Sequence, residues 1–114
     1  MGQKLDAYLI LGCYGQERDG FLFCGSITNP ILDLSEVSDS KYKVVVDFLD
    51  HSCEVFDKPM YDLNKISNIL NILYKNYHCF SEEKLLSIQN FIHMHKNCGI
   101  FIYLSLKEDY VERS

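Results

Sequence analysis

Residues 81–106 read SEEKLLSIQNFIHMHKNCGIFIYLSL, and this stretch carries the clearest fold signals of the chain. Ser81, followed by two glutamates, predicts the capped start of a helix whose inner face begins at Leu85. Gly99, just after a basic and polar turn, predicts its left-handed stop. Residues 100–106 then alternate between two sets of side chains, as in a β-strand that we expect to be central in a sheet. The stretch therefore predicts a helix followed by a strand.

The residues before this stretch add one helix and several strands. Apolar residues at the spacing of one helix face run from Leu63 to Tyr77, after a candidate cap at Asp62. Upstream, strands are predicted at residues 5–11, 20–25, 42–49 and 52–56. We therefore expect a single α+β domain, residues 1–114, in the order β-β-β-β-α-α-β. Its sheet should be mixed and mostly antiparallel, with two helices packed on one face.

Two connections are also predicted. Residues 13–19 are polar with a central glycine, and indicate a hairpin loop longer than two residues. Residues 32–40 are rich in Ser, Asp and Glu, and indicate an exposed connection that could hold a short irregular turn.

Length and composition fit one compact domain. The chain has 114 residues, of which 47% are hydrophobic, and five cysteines without paired spacing. No apolar run reaches the length of a membrane-spanning helix, and the first residues do not resemble a secretory signal. We expect a cytoplasmic protein with reduced thiols that is not associated with a membrane.

The charge is acidic and unevenly distributed. The formal net charge is −5, and residues 1–62 hold eleven acidic against five basic side chains. Phosphate recognition draws on clustered Lys and Arg, so we expect no direct binding of nucleic acid. An acidic half of this kind favours a basic partner.

No segment contains a complete catalytic or nucleotide-binding motif. Cys24-Gly25-Ser26 is similar to the nucleophile segment of papain-like proteases, but the next residues, Ile27 and Thr28, do not continue it. Glycines 12, 15 and 20 match neither phosphate-binding pattern and are better explained as turn residues. We expect no enzymatic activity, no catalytic residue and no cofactor.

Histidine and cysteine residues in and after the second predicted helix are ligand types that zinc favours, but their spacing does not complete a metal site. His93 and His95 are two positions apart and would point to nearly opposite sides of a helix. His95 and Cys98 could share a face, but no Cys-x-x-Cys pair accompanies them. We expect no metal, with these histidines partly exposed.

Acidic residues beside tyrosines form the candidate interface. Tyrosine and carboxylate side chains suit a partner that presents Arg and Lys. Asp47, inside an apolar segment, is expected to face solvent or a partner rather than to act in catalysis. The predicted partner-binding residues are Asp33, Glu36, Asp39, Tyr42, Asp47 and Asp50.

Both ends of the chain resemble the small immunity proteins of bacterial contact-dependent growth inhibition systems. The resemblance is carried by KLDAYLI at residues 4–10, NCGIFIYL at 97–104 and the charged KEDY at 107–110. It implies a non-enzymatic cytoplasmic protein that covers the active cleft of one cognate toxin, often a basic nuclease.

We therefore predict an immunity-type inhibitor that acts by steric and electrostatic occlusion of a toxin. An accessory protein of a phage or virus that blocks a host defence protein would share these features and differ in its genetic neighbourhood. A small hydrolase using Cys24 and a subunit of a larger assembly are further alternatives. Replacement of Cys24 by alanine tests the hydrolase, and an apolar exposed sheet edge would favour the assembly subunit.

Overall fold

The structure is a computed structural model that describes residues 4–18, 21–52 and 59–110, with backbone alone at 16–18 and 21–27. Three strands form one antiparallel sheet: β1 (Ala7–Arg18), β2 (Phe21–Asp33) and β3 (Gly99–Leu106). Their order is β2-β1-β3, so β1 is central. The mixed α+β class and the antiparallel pairing of the first two strands are confirmed.

Among the described residues, three α-helices rather than the predicted two lie between β2 and β3: α1 (Asp39–Ser52), α2 (Leu63–Lys75) and α3 (Glu82–Met94). Side chains cap two of them as predicted. Asp62 accepts hydrogen bonds from the backbone N–H groups of Asn64 and Lys65, and Ser81 accepts one from Lys84. Short 3₁₀ turns follow β2 (Leu34–Glu36) and β3 (Lys107–Asp109).

The core lies between the sheet and the helices. Alternation along the strands directs one set of side chains to the helical layer, including Leu9 and Leu11 of β1 and Ile102 of β3. These three are at most 1% exposed, as are Val45 and Leu49 of α1. Helix α1 is therefore anchored in the same core as α2 and α3.

The opposite face of the sheet carries aromatic residues. Phe101 is 2% exposed and contacts Tyr14 and Tyr103, with ring centroids 4.5 and 5.6 Å apart. Tyr14 also stacks on Tyr61 at 6.1 Å, and about half of each of these two tyrosines is exposed. Tyr14 and Tyr61 thus lie across the sheet from the helical layer.

The prediction of a strand at residues 42–49 is wrong, because this segment lies within α1. Its valines and aromatics have high β-propensity, but Val45 and Leu49 are spaced as on one helix face and are completely buried. Burial of that face overrides the local propensity. A strand was also predicted at residues 52–56. Its first residue, Ser52, is the last residue of α1, and residues 53–56 lie outside the described part of the chain.

Three further expectations are corrected by the structure. The 100–106 segment is a strand, but β3 lies at the edge of the β2-β1-β3 order, where Met60 forms an isolated bridge to Ile102. The loop expected at 13–19 is shorter, since β1 extends to Arg18 and β2 begins at Phe21. The connection expected at 32–40 is not wholly exposed, because Leu34 is completely buried.

Candidate functional site

Four exposed carboxylates lie on the 3₁₀ turn after β2 and on α1, and we call them the acidic surface: Glu36, Asp39, Asp47 and Asp50. Successive helix residues rotate by about 100°, so the three aspartates of α1 fall within a sector of about 80°. That sector points away from Val45 and Leu49, which are buried. Asp47, predicted on a strand, is thus a solvent-facing residue of a helix.

Two lysines partly neutralise the acidic surface. Lys4 lies 2.8 Å from Asp39, and Lys43 lies 2.8 Å from Asp47 one turn away on α1. The hydrogen bond and charge of Lys4 lower the pKa of Asp39, and Asp47 raises the pKa of Lys43 in the same way. Glu36 and Asp50 are in no ion pair among the described residues, so their charges remain available to a partner.

Asp33, also predicted to contact a partner, is held inside the fold. Its carboxylate lies 2.6 Å from Lys107 Nζ and accepts hydrogen bonds from the backbone N–H and hydroxyl of Ser35. Lys107 also lies 3.1 Å from Asp6 and over the ring of Tyr8. Burial alone would raise the pKa of Asp33, but the hydrogen bonds from Lys107 and Ser35 outweigh it, so the net shift is downward.

Tyr42 likewise has a contact within the chain. Its hydroxyl oxygen accepts a hydrogen bond of 2.7 Å from the backbone N–H of Leu5, which precedes β1. This bond ties the start of the sheet to α1. Tyr14 and Tyr61, by contrast, stack on each other on the opposite face of the sheet.

A cavity of about 360 Å³ adjoins the acidic surface at Glu36. Asp33, Lys41 and Cys79 also line it. The ammonium of Lys41 donates to the backbone carbonyl of Tyr77 at 2.9 Å, while burial raises the pKa of the Cys79 thiol. The cavity therefore has carboxylates on its wall and room for a side chain.

A second group of residues with potential chemistry consists of Cys13, His95 and Cys98, which we call the thiol–imidazole cluster. Its ligand atoms all lie within 4.8 Å of one another. Cys13 is 1% exposed on β1 and faces the helical layer, while His95 and Cys98 are half-buried at the end of α3. The sequence indicated that His95 and Cys98 could share a face, but it gave no sign that Cys13 joins them.

The Nδ1 atom of His95 is buried and has no hydrogen-bond partner among the described residues. A buried polar atom without a hydrogen bond lowers the free energy of unfolding by about 1–3 kcal/mol. The imidazole packs on Phe91 at 4.6 Å between ring centroids. Beside it is a groove of about 490 Å³, whose lining includes Asn29, Lys84 and Met94.

The remaining chemical motifs do not form a site within the described part of the chain. Gly12 and Gly15 both belong to β1, and β1 is followed by a strand rather than by the helix that a phosphate cradle needs. Gly15 has a positive φ of 61° where the β1–β2 register shifts. The side chain of Cys24 lies outside the described residues.

No helix formed by the described residues has the length and hydropathy required to cross a membrane. No family model, no curated protein and no solved structure matches this chain.

Proposed function

We propose that this chain is an immunity-type inhibitor that binds a basic protein toxin through its acidic surface. The observation that carries the proposal is the exposure of Glu36, Asp39, Asp47 and Asp50 on the 3₁₀ turn and α1, two of them outside any described ion pair. The backbone of the three aspartates is fixed in a helix that is anchored in the core, so this part of the surface needs little ordering when a partner binds.

The mechanism is occlusion, and it needs no reaction by the inhibitor. Opposite charges steer the two proteins together and raise the rate of association, which a neutralising protein requires. The cavity at Glu36 can receive a Lys or Arg side chain of the toxin, since the exposed carboxylate of Glu36 lies on its wall. Arginine is among the residue types that most often anchor a tight interface.

The cognate toxin is expected to be a nuclease, because an active cleft that binds phosphates is rich in Lys and Arg. The acidic surface would cover that cleft and exclude the nucleic acid. Neutralisation would take place in the cytoplasm, where the toxin meets its substrate.

The experiment is capture with the tagged protein from cells that carry its neighbouring genes, followed by expression of the captured protein. We expect one stoichiometric basic partner that stops growth when expressed alone and is harmless when co-expressed with this chain. A partner that leaves growth unchanged in both conditions would contradict the proposal. A host defence protein as the partner would instead identify the phage or viral inhibitor.

A further inference from the structure

We propose that the thiol–imidazole cluster is a zinc site, in which Cys13, His95 and Cys98 bind one ion. The inference is independent of the proposed function, since the cluster joins β1 to the end of α3 and contains no residue of the acidic surface. Thiolate sulfur and imidazole nitrogen are the ligands that Zn²⁺ prefers in proteins.

Local structure brings two of the ligands together. His95 is the C-cap of α3, and its carbonyl accepts a hydrogen bond of 2.9 Å from the backbone N–H of Cys98. This bond closes a turn in which residues three positions apart approach each other. The sequence His95-x-x-Cys98 thus forms a turn of the same size as the Cys-x-x-Cys turn of zinc sites.

The sheet supplies the third ligand. Cys13 pairs with Ile100 in the β1–β3 ladder, and Tyr14 pairs with Gly99, so Cys13 lies beside the start of β3. Its side chain points to the helical layer, where the turn after α3 lies. The pairing register therefore fixes the position of Cys13 relative to Cys98.

The separations suit a metal with small adjustments. With Zn–S bonds of about 2.3 Å and Zn–N bonds of about 2.0 Å, tetrahedral ligand atoms lie roughly 3.5–3.8 Å apart. The three ligand atoms are already within 4.8 Å of one another. Rotation of the half-buried His95 and Cys98 side chains can close the difference while β1 stays in place.

The imidazole of His95 is a second, independent observation that points to a ligand at the cluster. The buried Nδ1 of His95 has no partner among the described residues, and a metal ion at the cluster can fix the orientation of this ring. Binding of Zn²⁺ would displace one proton from each thiol, so two thiolates and the ion form a neutral unit suited to a half-buried place. A water molecule can complete the four ligands from the exposed side.

The test uses the full chain, stripped of metal with a chelator and kept reduced, and Co²⁺ as a spectroscopic probe. We expect one Co²⁺ per chain, with thiolate-to-metal charge-transfer absorption and the strong visible bands of a tetrahedral complex. Added Zn²⁺ should displace Co²⁺ stoichiometrically and raise the midpoint of thermal unfolding. Binding should weaken as the pH falls, since the thiols must lose their protons.

Variants separate this site from the other thiols and histidines. Cys98→Ser and His95→Ala alter half-buried positions, and each should weaken Co²⁺ binding by more than about 100-fold. Loss of a residue that only hydrogen-bonds to a metal ligand weakens binding by about 10- to 100-fold, and loss of the ligand itself should weaken it more. Cys13→Ser should do the same if it folds. Cys79→Ser and His93→Gln are the matched controls, and both should bind Co²⁺ as the natural chain does.

Two results would overturn the inference. One is the absence of tetrahedral Co²⁺ absorption in the reduced natural chain. The other is Co²⁺ binding that survives Cys98→Ser and His95→Ala unchanged, which would place the ion elsewhere. A variant with Cys24, Cys53 and Cys79 all replaced by serine gives a further check, because it should still bind one ion.

Discussion

The hydroxyl of Tyr42 shows how a residue suited to an interface can serve the fold instead. Its oxygen accepts the backbone N–H of Leu5 at 2.7 Å, and the ring packs against the core. Removing this hydroxyl leaves a partly buried N–H without its acceptor. The bond is therefore expected to contribute to stability and not to partner recognition.

We predict that Tyr42→Phe lowers the free energy of unfolding by about 1 kcal/mol, the usual value of one such hydrogen bond. Urea unfolding measures the change. Tyr74→Phe is the control, since the Tyr74 hydroxyl has no hydrogen bond among the described residues, and it should unfold like the natural chain. Equal effects of the two variants would contradict the role of the Leu5 bond.

The Asp33–Lys107 pair predicts a dependence of stability on pH. The folded pKa of Asp33 lies below its ordinary value of 3.8, so its contribution is complete above that pH and is lost as the pH falls through the lower folded value. The folded pKa of Lys107 is raised above 10.5, chiefly by its hydrogen bond to Asp33. Its contribution is complete below pH 10.5 and is lost as the pH rises through the higher folded value.

We therefore expect the difference in unfolding free energy between the natural chain and Asp33→Asn to be largest between pH 3.8 and 10.5 and to shrink on both sides. Urea unfolding across a pH series measures it. Asp50→Asn, which removes an exposed carboxylate outside any described ion pair, should give a difference near zero throughout. A difference for Asp33→Asn that stays constant with pH would refute the pairing.

Helix α1 is the element that the sequence did not predict. Val44, Val45 and Val46 favour a strand locally, and alternation alone cannot separate the two structures in so short a run. A signal for the helix was nevertheless present, because Asp39, Lys43 and Asp47 repeat at intervals of four, the spacing of ion pairs on a helix. The starts of α2 and α3 were predictable, since periodicity and amino-terminal capping residues agree there, but the left-handed stop expected at Gly99 is wrong, because α3 ends at Met94 and Gly99 begins β3.

The helical assignment of α1 gives a direct prediction for two neighbouring valines. Val45 is completely buried, whereas Val44 is 49% exposed. Val45→Ala should lower the unfolding free energy by about 2 kcal/mol through lost burial and a cavity, and Val44→Ala by less than about 0.5 kcal/mol. Thermal or urea unfolding of both variants would test this, and equal losses would contradict the helix.

The start of α2 gives another prediction at this scale. Asp62→Ala removes the acceptor for the N–H groups of Asn64 and Lys65, and should cost about 1 kcal/mol of unfolding free energy. Asp62→Ser keeps a capping oxygen and should retain most of the stability. Equilibrium unfolding compares the two, and a serine variant as unstable as the alanine variant would argue against capping.

The candidate sites differ in how far they could be predicted. The acidic residues were recognisable because they are close together in the sequence, but their division into exposed and structural members depends on contacts with Leu5 and Lys107. Cys13 could not be assigned to His95 and Cys98, because only the β1–β3 register brings them together. Contacts between distant segments leave no periodic signal in one sequence.

At the scale of the molecule, the two candidate sites are carried by different elements. The acidic surface lies on the outer side of α1 and the preceding turn, whereas the thiol–imidazole cluster lies between β1 and the end of α3. The molecule is elongated, with extents of 52 × 29 × 23 Å, and the β1–β2 hairpin continues beyond the last β1–β3 pair at Tyr14. Variants at one site can therefore be assayed without altering the other.

The most direct test of the proposed function is the association rate of the captured toxin with charge-reversed variants, measured at low and high salt. Glu36→Lys with Asp50→Lys changes the acidic surface, and Glu82→Lys with Glu83→Lys makes the same change in net charge on α3. We predict that the first pair slows association at low salt by at least about tenfold, that salt diminishes the difference, and that the second pair has little effect. Equal rates for the first pair and the natural chain, or equal slowing by both pairs, would contradict binding through the acidic surface.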